Sequence, residues 1–210
     1  MKVIGLLSRK GGVGKTTLAL HLAVLAQAAG RQTLLVDLDP QRSAASWWQA
    51  RAAETPQLAE TTPVKLRDLL TKAGETGVDV AVIDTRPTKA DAAHIAALCD
   101  LLLVPTRPAI LDMRAILATL DVIKGTAQRS MIVLNACPPP RGFGEATTTG
   151  DARRALAAFG VPVSPATITN RTGFSTSLIA GLTACEMEPE SKGAREMRAL
   201  WRVVEKEIYR

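Results

Sequence analysis

A glycine-rich segment follows the first apolar run of the chain and contains the residue types that bind a phosphate: Ser8-Arg9-Lys10-Gly11-Gly12-Val13-Gly14-Lys15-Thr16-Thr17. Glycines let the backbone wrap a phosphate with its N–H groups, and the N-terminus of the following helix adds a favourable dipole. Lys15 would reach the β- and γ-phosphates of a nucleotide, and the Thr16 hydroxyl would ligate Mg²⁺. The usual first glycine is missing, because Arg9 stands five residues before Gly14. The segment predicts a phosphate-binding loop.

The rest of the chain alternates short apolar runs with longer helical patterns. The predicted strands are residues 3–7, 33–36, 78–83, 101–104, 131–134 and 161–163, and the predicted helices include residues 16–29, 89–98, 111–124 and 151–159. Such alternation predicts an α/β fold with a mostly parallel sheet flanked by helices on both faces. Together with the phosphate-binding loop between the first strand and helix, it indicates a P-loop NTPase. The least regular stretches, residues 54–63 and 137–150, are too short to mark a domain boundary, so we expect one domain over residues 1–210.

Composition narrows the classes of protein. The 210 residues are 47% apolar and 22% charged, which is typical of a soluble globular chain. The net charge of +6 permits contact with nucleic acid or an anionic membrane without establishing either. Three Phe, three Trp and one Tyr are few for a protein that stacks single-stranded bases. Three scattered cysteines and no long apolar run predict a reduced, cytoplasmic protein.

The segment Lys10–Thr17 resembles the deviant Walker A motif of the ParA/MinD ATPases. In that family the position of Arg9 need not be glycine, and an extra lysine, here Lys10, is the signature. The resemblance implies that all eight residues of the segment contact the nucleotide. It also implies a nucleotide-sandwich dimer in which Lys10 reaches the phosphates of the partner and, with Lys15, stabilises the charge of the transition state.

Two acidic segments extend this resemblance. Residues 34–41 resemble the second strand and first switch of the family, which implies that Asp39 orients the attacking water and Asp37 supports the Mg²⁺ shell. Residues 80–85 resemble a Walker B strand, which implies that Asp84 holds Mg²⁺ through water. The resemblance therefore implies ATP and Mg²⁺ as cofactors and an ATP hydrolase as the activity.

Other parts of the family pattern are matched less completely. Arg86-Pro87-Thr88 follows the Walker B strand, and no glycine lies between Gly77 and Gly125, so the second switch lacks its usual hinge. Arg86 is either a local specialisation or an exposed loop charge. Asn135 and Pro165 are adenine contacts by family position, or ordinary loop residues.

The last helical pattern has two faces. At 100° per residue, one face carries Met197, Leu200, Trp201, Val204 and Ile208, and the opposite face carries Arg195, Arg198, Arg202 and Lys206. Such a basic face is a solvated surface in many proteins, but the family binds DNA through basic residues in this region. We therefore predict a non-specific DNA-binding surface, which Arg171 and Lys192 extend.

The resemblance implies a functional cycle. The chain resembles the short ParA type, which lacks an N-terminal helix-turn-helix. ATP would close a homodimer, and the dimer would bind nucleoid DNA. Hydrolysis, stimulated by a ParB-like centromere-binding adaptor, would release the dimer from the DNA. The cargo would be a plasmid or chromosome, and no membrane is expected, because the apolar face of the last helix is interpreted as core. Two alternatives stay open. The same ATP-driven cycle could position a carboxysome or a conjugation complex. The chain could also be a metabolic P-loop enzyme, such as a synthetase or an iron–sulfur reductase.

Overall fold

Six parallel strands form one sheet in the computed structural model, which describes residues 1–85, 89–126, 128–140 and 144–210. In chain order the strands are β1 (Lys2–Leu6), β2 (Thr33–Asp37), β3 (Gln57–Glu60), β4 (Val80–Asp84), β5 (Leu101–Thr106) and β6 (Arg129–Leu134). Their spatial order is β3-β2-β4-β1-β5-β6, and every pair is parallel. The predicted α/β fold with a parallel sheet is confirmed.

Helices cover both faces of this sheet. In chain order they are α1 (Lys15–Ala28), α2 (Ser43–Ala50), α3 (Leu66–Glu75), α4 (Lys89–Ala96), α5 (Ile110–Lys124), α6 (Thr147–Ala157), α7 (Thr172–Ile179), α8 (Ala184–Met187) and α9 (Lys192–Ile208). A core on one face joins α1, α2, α7 and α9, and a core on the other joins α3, α4, α5 and α6. Successive strand residues alternate between these cores, as the two-residue period of a strand requires.

Two predictions differ from the structure at the edges of the sheet. Residues 161–163 form a single bridge between Val163 and Ile132 rather than a strand, because Pro162 has no N–H to donate to a ladder. Residues 54–63, which the sequence leaves irregular, contain the edge strand β3. Its four residues carry no apolar run, so pairing with β2 rather than local pattern selects the strand.

His21 links α1 to α8 at the centre of the first core. Its Nδ1 donates to the Thr17 carbonyl at 2.7 Å, and its Nε2 accepts a hydrogen bond from the Ala184 N–H at 3.0 Å. Burial lowers the pKa of His21 from 6.5 to about 4, and the bond to Thr17 opposes that shift. The imidazole is therefore neutral at pH 7, and its role here is structural.

We expect the substitution His21→Gln to change how stability depends on pH. Between pH 6.5 and 4 the unfolded wild-type chain binds a proton at His21 that the folded chain does not bind, so wild-type stability falls as the pH falls. Glutamine does not titrate, so the difference in unfolding free energy between the two proteins should shrink by up to about 3 kcal/mol across this window. Urea unfolding at several pH values measures it, with the exposed His94→Gln as control. A constant difference would contradict this account.

Candidate active site

The loop between β1 and α1 has the backbone geometry of a phosphate cradle. Gly12 and Gly14 have positive φ values of 71° and 88°, a conformation that favours glycine. A Cβ on Gly14 would also lie 2.1 Å from Asn135 Nδ2. The first turn of α1 contains no acidic residue and Gly14 offers no side-chain cap, so the N–H groups of this turn are available to an anion.

A cavity of about 570 Å³ opens on the concave side of this loop. Its lining includes Gly12, Lys15, Thr16, Thr17 and Asp39. The structure therefore brings the predicted phosphate-binding residues and the predicted water-orienting carboxylate to one cavity. Its polar lining and its place at a helix N-terminus suit the phosphates of a nucleotide.

The two lysines of the loop lie in different surroundings. Lys15 is buried, and its Nζ donates to the Lys10 carbonyl at 3.4 Å. The side chain of Lys10 is 48% exposed, and its Nζ lies 3.7 Å from Oδ1 of Asp112 on α5. Lys10 does not line the phosphate cavity of its own chain, whereas Lys15 does.

A buried carboxylate lies beside the cavity at the end of β4. Asp84 is fully buried, and among the described residues neither of its side-chain oxygens has a hydrogen-bond partner in good geometry, although the Thr16 hydroxyl lies close to it. Burial raises the pKa of Asp84 to about 7; the nearby Thr16 hydroxyl and the charge of Lys15 lower it, and the charges of Asp37 and Asp39 raise it. A buried carboxylate without a partner is costly, which indicates that a cation or a donor belongs beside it.

The other acidic residues are held by the turn that follows β2. Asp37 is directly opposite Asp84 in the sheet, and its two oxygens accept from the N–H groups of Asp39 at 2.9 Å and Ala45 at 3.0 Å. These bonds leave the Asp39 side chain half-buried at the cavity wall. The described residues contain no group of three His, Cys, Asp or Glu side chains placed to hold a metal ion. Mg²⁺ usually takes one or two carboxylates together with substrate phosphates, and Asp84 with Thr16 fits that pattern.

The two predicted adenine contacts lie in different parts of the molecule. Asn135 is buried at the end of β6, and its Nδ2 donates to the Val13 carbonyl at 2.7 Å, so it holds the phosphate loop. Pro165 instead lines a separate cavity with Leu101 and Arg129, at the amino ends of β5 and β6. The phosphate loop lies at the opposite, carboxyl ends of the strands, so the structure does not bring Pro165 to the candidate site. Arg86 lies outside the described residues.

The predicted DNA-binding residues differ in whether their charges are free at the surface or bonded within the chain. Arg195, Arg202, Lys206 and Lys192 are exposed on α9, and none of the four has an ion pair within the described part of the chain. Arg198 donates to the Pro189 carbonyl. Arg171 forms an ion pair with Glu196, with an Nη2–Oε1 distance of 2.6 Å, so its charge is neutralised within the chain.

The opposite face of α9 confirms the predicted core. Met197, Leu200, Trp201, Val204 and Ile208 are all buried against the first core. Across the described ranges, no helix is long and apolar enough to span a membrane.

Sequence reasoning missed several residues that support the phosphate loop. The Thr119 Oγ1 of α5 accepts the Arg9 N–H at 3.2 Å, and Asp112 of the same helix pairs with Lys10. Arg107, the residue after β5, donates from Nη2 to the Gly12 carbonyl. A polar residue that directly follows a parallel strand lies close to the loops after the neighbouring strands. This position is the sequence signal that could have identified Arg107.

Comparison with known proteins agrees with this geometry. A family model described as the CobQ/CobB/MinD/ParA nucleotide-binding domain matches residues 4–183. The maintenance of carboxysome distribution protein A of Gloeobacter kilaueensis is 38% identical over 217 residues, covering 100% of this chain and 94% of that protein. The chromosome-partitioning ATPase Soj of Thermus thermophilus is 28% identical over 242 residues, covering 94% of this chain and 92% of that protein.

Solved structures show the same fold at lower identity. An ATP complex of a Cyanothece McdA variant has a TM-score of 0.81 and 15% identity, covering 100% of this chain and 96% of that one. The cell division ATPase MinD of Pyrococcus furiosus has a TM-score of 0.74 and 23% identity, covering 98% of each chain. Both likenesses concern the fold.

Proposed function

We propose that this chain, which belongs to the CobQ/CobB/MinD/ParA family and is an ATPase of the ParA/MinD type, positions a cellular cargo through ATP-driven dimerisation and DNA binding. In this cycle ATP and Mg²⁺ close a homodimer, the dimer binds DNA without sequence preference, and hydrolysis releases it. The observation that carries the proposal is the contrast between Lys15, which is buried at its own phosphate cavity, and Lys10, which is half-exposed outside it.

The position of Lys10 suits a role in a second subunit. A cation that serves its own phosphates belongs in the cavity, where Lys15 already lies. The Lys10 side chain is instead half-exposed, and its contact among the described residues is a 3.7 Å ion pair with Asp112. Such a partly exposed pair is weak. Triphosphate from a partner offers a stronger attraction, and a cation supplied in trans stabilises the charge of the transition state.

The residues at the cavity have separate proposed roles in binding Mg²⁺ and in orienting water. Thr16 and Asp84 would hold Mg²⁺, with Asp37 supporting the turn beside them. When bound, the ion neutralises phosphate charge. Asp39 lies at the cavity wall with a half-buried carboxylate, the position from which it can accept a proton from water and orient that water towards the terminal phosphate.

The exposed cations of α9 support DNA binding. The glutamates that flank them are each paired with an arginine outside the basic face: Glu196 with Arg171, Glu205 with Arg31 at 3.5 Å, and Glu207 with Arg210 at 3.9 Å. The positive charge of the helix surface is therefore not cancelled by its own acidic neighbours, and the chain has a net charge of +6. Such a surface binds DNA phosphates without reading the bases.

Replacing Arg195, Arg202 and Lys206 together with glutamate should remove ATP-dependent DNA binding and leave ATP-dependent dimerisation intact. Arg198 is excluded because it supports the Pro189 carbonyl. The matched control reverses three exposed cations elsewhere, Lys65, Arg67 and Lys72.

Retardation of duplex DNA across a salt series measures the effect, since lost phosphate contacts flatten the salt dependence. Equal retardation of the α9 triple variant and wild-type protein at low salt would show that this face is only a solvated surface.

The relatives support two cargoes for this cycle. The 38% identity to a carboxysome distribution protein favours carboxysome positioning through an adaptor. DNA partition with a ParB-like adaptor is the second candidate, supported by the 28% identity to Soj. Deleting the gene in its native cells separates them: scattered or clustered carboxysomes support the first, and faster plasmid loss or anucleate cells support the second.

The structure gives little support to an iron–sulfur reductase. Cys99 and Cys137 are 3% and 2% exposed, so neither thiol is offered at a surface where two subunits could share a cluster. Burial raises the pKa of these thiols to about 12 and about 11, which disfavours the thiolate that metal binding requires.

A further inference from the structure

Arg107 contacts the phosphate loop through the backbone of Gly12. It follows directly after β5, and its Nη2 donates to the carbonyl oxygen of Gly12. No carboxylate pairs with Arg107 in the described ranges, and Arg107 does not line the phosphate cavity. Within the described part of the chain, the Arg107 guanidinium is therefore bonded to the loop backbone rather than to an acid.

The Gly12 carbonyl belongs to a peptide unit with two polar ends. In a trans peptide the C=O of one residue and the N–H of the next point in opposite directions. Because Arg107 holds the Gly12 C=O, the Val13 N–H points away from Arg107. Val13 itself is buried, and its two neighbours, Gly12 and Gly14, both line the cavity. A charged donor on the C=O also polarises the peptide and strengthens its N–H as a donor.

Asn135 acts in the same way on the next peptide unit. Its Nδ2 donates to the Val13 carbonyl at 2.7 Å, which directs the Gly14 N–H away from Asn135. Two residues at the ends of adjacent strands thus hold two successive carbonyls of the loop. Asn135 is a buried neutral donor, whereas Arg107 is an exposed cation.

We infer that Arg107 is a positioning residue for the nucleotide phosphates, which acts by directing the Val13 N–H into the cavity. The inference rests on the proposed phosphate-binding role of the loop and not on dimerisation or DNA binding. ADP is the suitable probe, because its binding to wild-type protein tests the loop itself before any variant is compared.

The test compares the ADP affinity of wild type, Arg107→Ala and Arg107→Lys by calorimetry with Mg²⁺ present, with the exposed Arg67→Ala as control for loss of charge. We expect Arg107→Ala to weaken ADP and ATP binding alike by about tenfold, with an unchanged Tm. In amide NMR spectra the Val13 resonance should move, while that of Gly14, whose peptide is held by Asn135, should stay in place.

Three results would overturn the inference. The first is wild-type ADP affinity in Arg107→Ala. The second is weaker binding without a displaced Val13 resonance, which would assign the effect to charge acting through space. The third is wild-type ADP affinity in Arg107→Lys together with a displaced Val13 resonance, which would show that affinity does not depend on the orientation of the Val13 N–H. If wild-type protein binds no ADP, the phosphate site itself is wrong, and that failure is distinct from all three.

Discussion

Lys10→Ala is expected to abolish ATP-dependent dimerisation and to lower ATP turnover by about a thousandfold, the scale of a charge supplied in trans. ADP binding should be unchanged, because Lys10 lies outside its own phosphate cavity. Light scattering with ATP and with ADP gives the oligomeric state, and phosphate release gives the turnover. Lys124→Ala, which removes an exposed lysine from α5, is the matched control.

The same experiment separates two roles for Lys10. If Lys10 is an ordinary loop charge, dimerisation and turnover survive its removal. If Lys10 instead served its own phosphates, Lys10→Ala would weaken ADP binding as well. Either result would remove the basis of the proposed sandwich dimer.

Asp39→Ala should trap the ATP-bound dimer, with turnover reduced at least about a hundredfold. The side chain lies at the cavity wall, and its only hydrogen bond in the described residues is to the Gln41 N–H at 2.9 Å, so the substitution removes the water-orienting group and little else. Light scattering measures the dimer, and ATP consumption measures the turnover. Asp68→Ala on the exposed side of α3 is the control.

Normal turnover in Asp39→Ala would exclude the role given to this carboxylate. Loss of ATP binding would instead show that Asp39 shapes the nucleotide cavity. Both outcomes differ from a trapped dimer, which requires intact binding without hydrolysis.

Local sequence signals were sufficient for most of the fold and for the residues of the phosphate loop. Strands β1, β2, β4, β5 and β6 are covered by helices on both faces of the sheet. Their sequences are therefore continuous apolar runs, which can be recognised without the structure. The glycine spacing and the Lys-Thr pair depend only on neighbours in the chain. The edge strand β3 depends on pairing with β2 and had no such signal.

Contacts between distant residues account for what the sequence could not show. The bonds from Asn135 to Val13 and from Arg107 to Gly12 join residues 122 and 95 positions apart. The ion pair between Arg171 and Glu196 removes one residue from the predicted basic surface. Pro165 is an adenine contact by family position alone, and the cavity it lines is at the amino ends of the strands, away from the phosphate loop.

The most direct test of the account mixes two inactive variants, Lys10→Ala and Asp39→Ala, and measures ATP turnover. If Lys10 acts in trans, a mixed dimer has one complete site, formed by Asp39 of the first variant and Lys10 of the second. When the variants are mixed before ATP is added, we expect turnover well above that of either variant alone, up to about the quarter of the wild-type value that random pairing would give. If Lys10 acts within its own chain, every site lacks one of the two residues, and a mixture as inactive as its components would contradict the central claim.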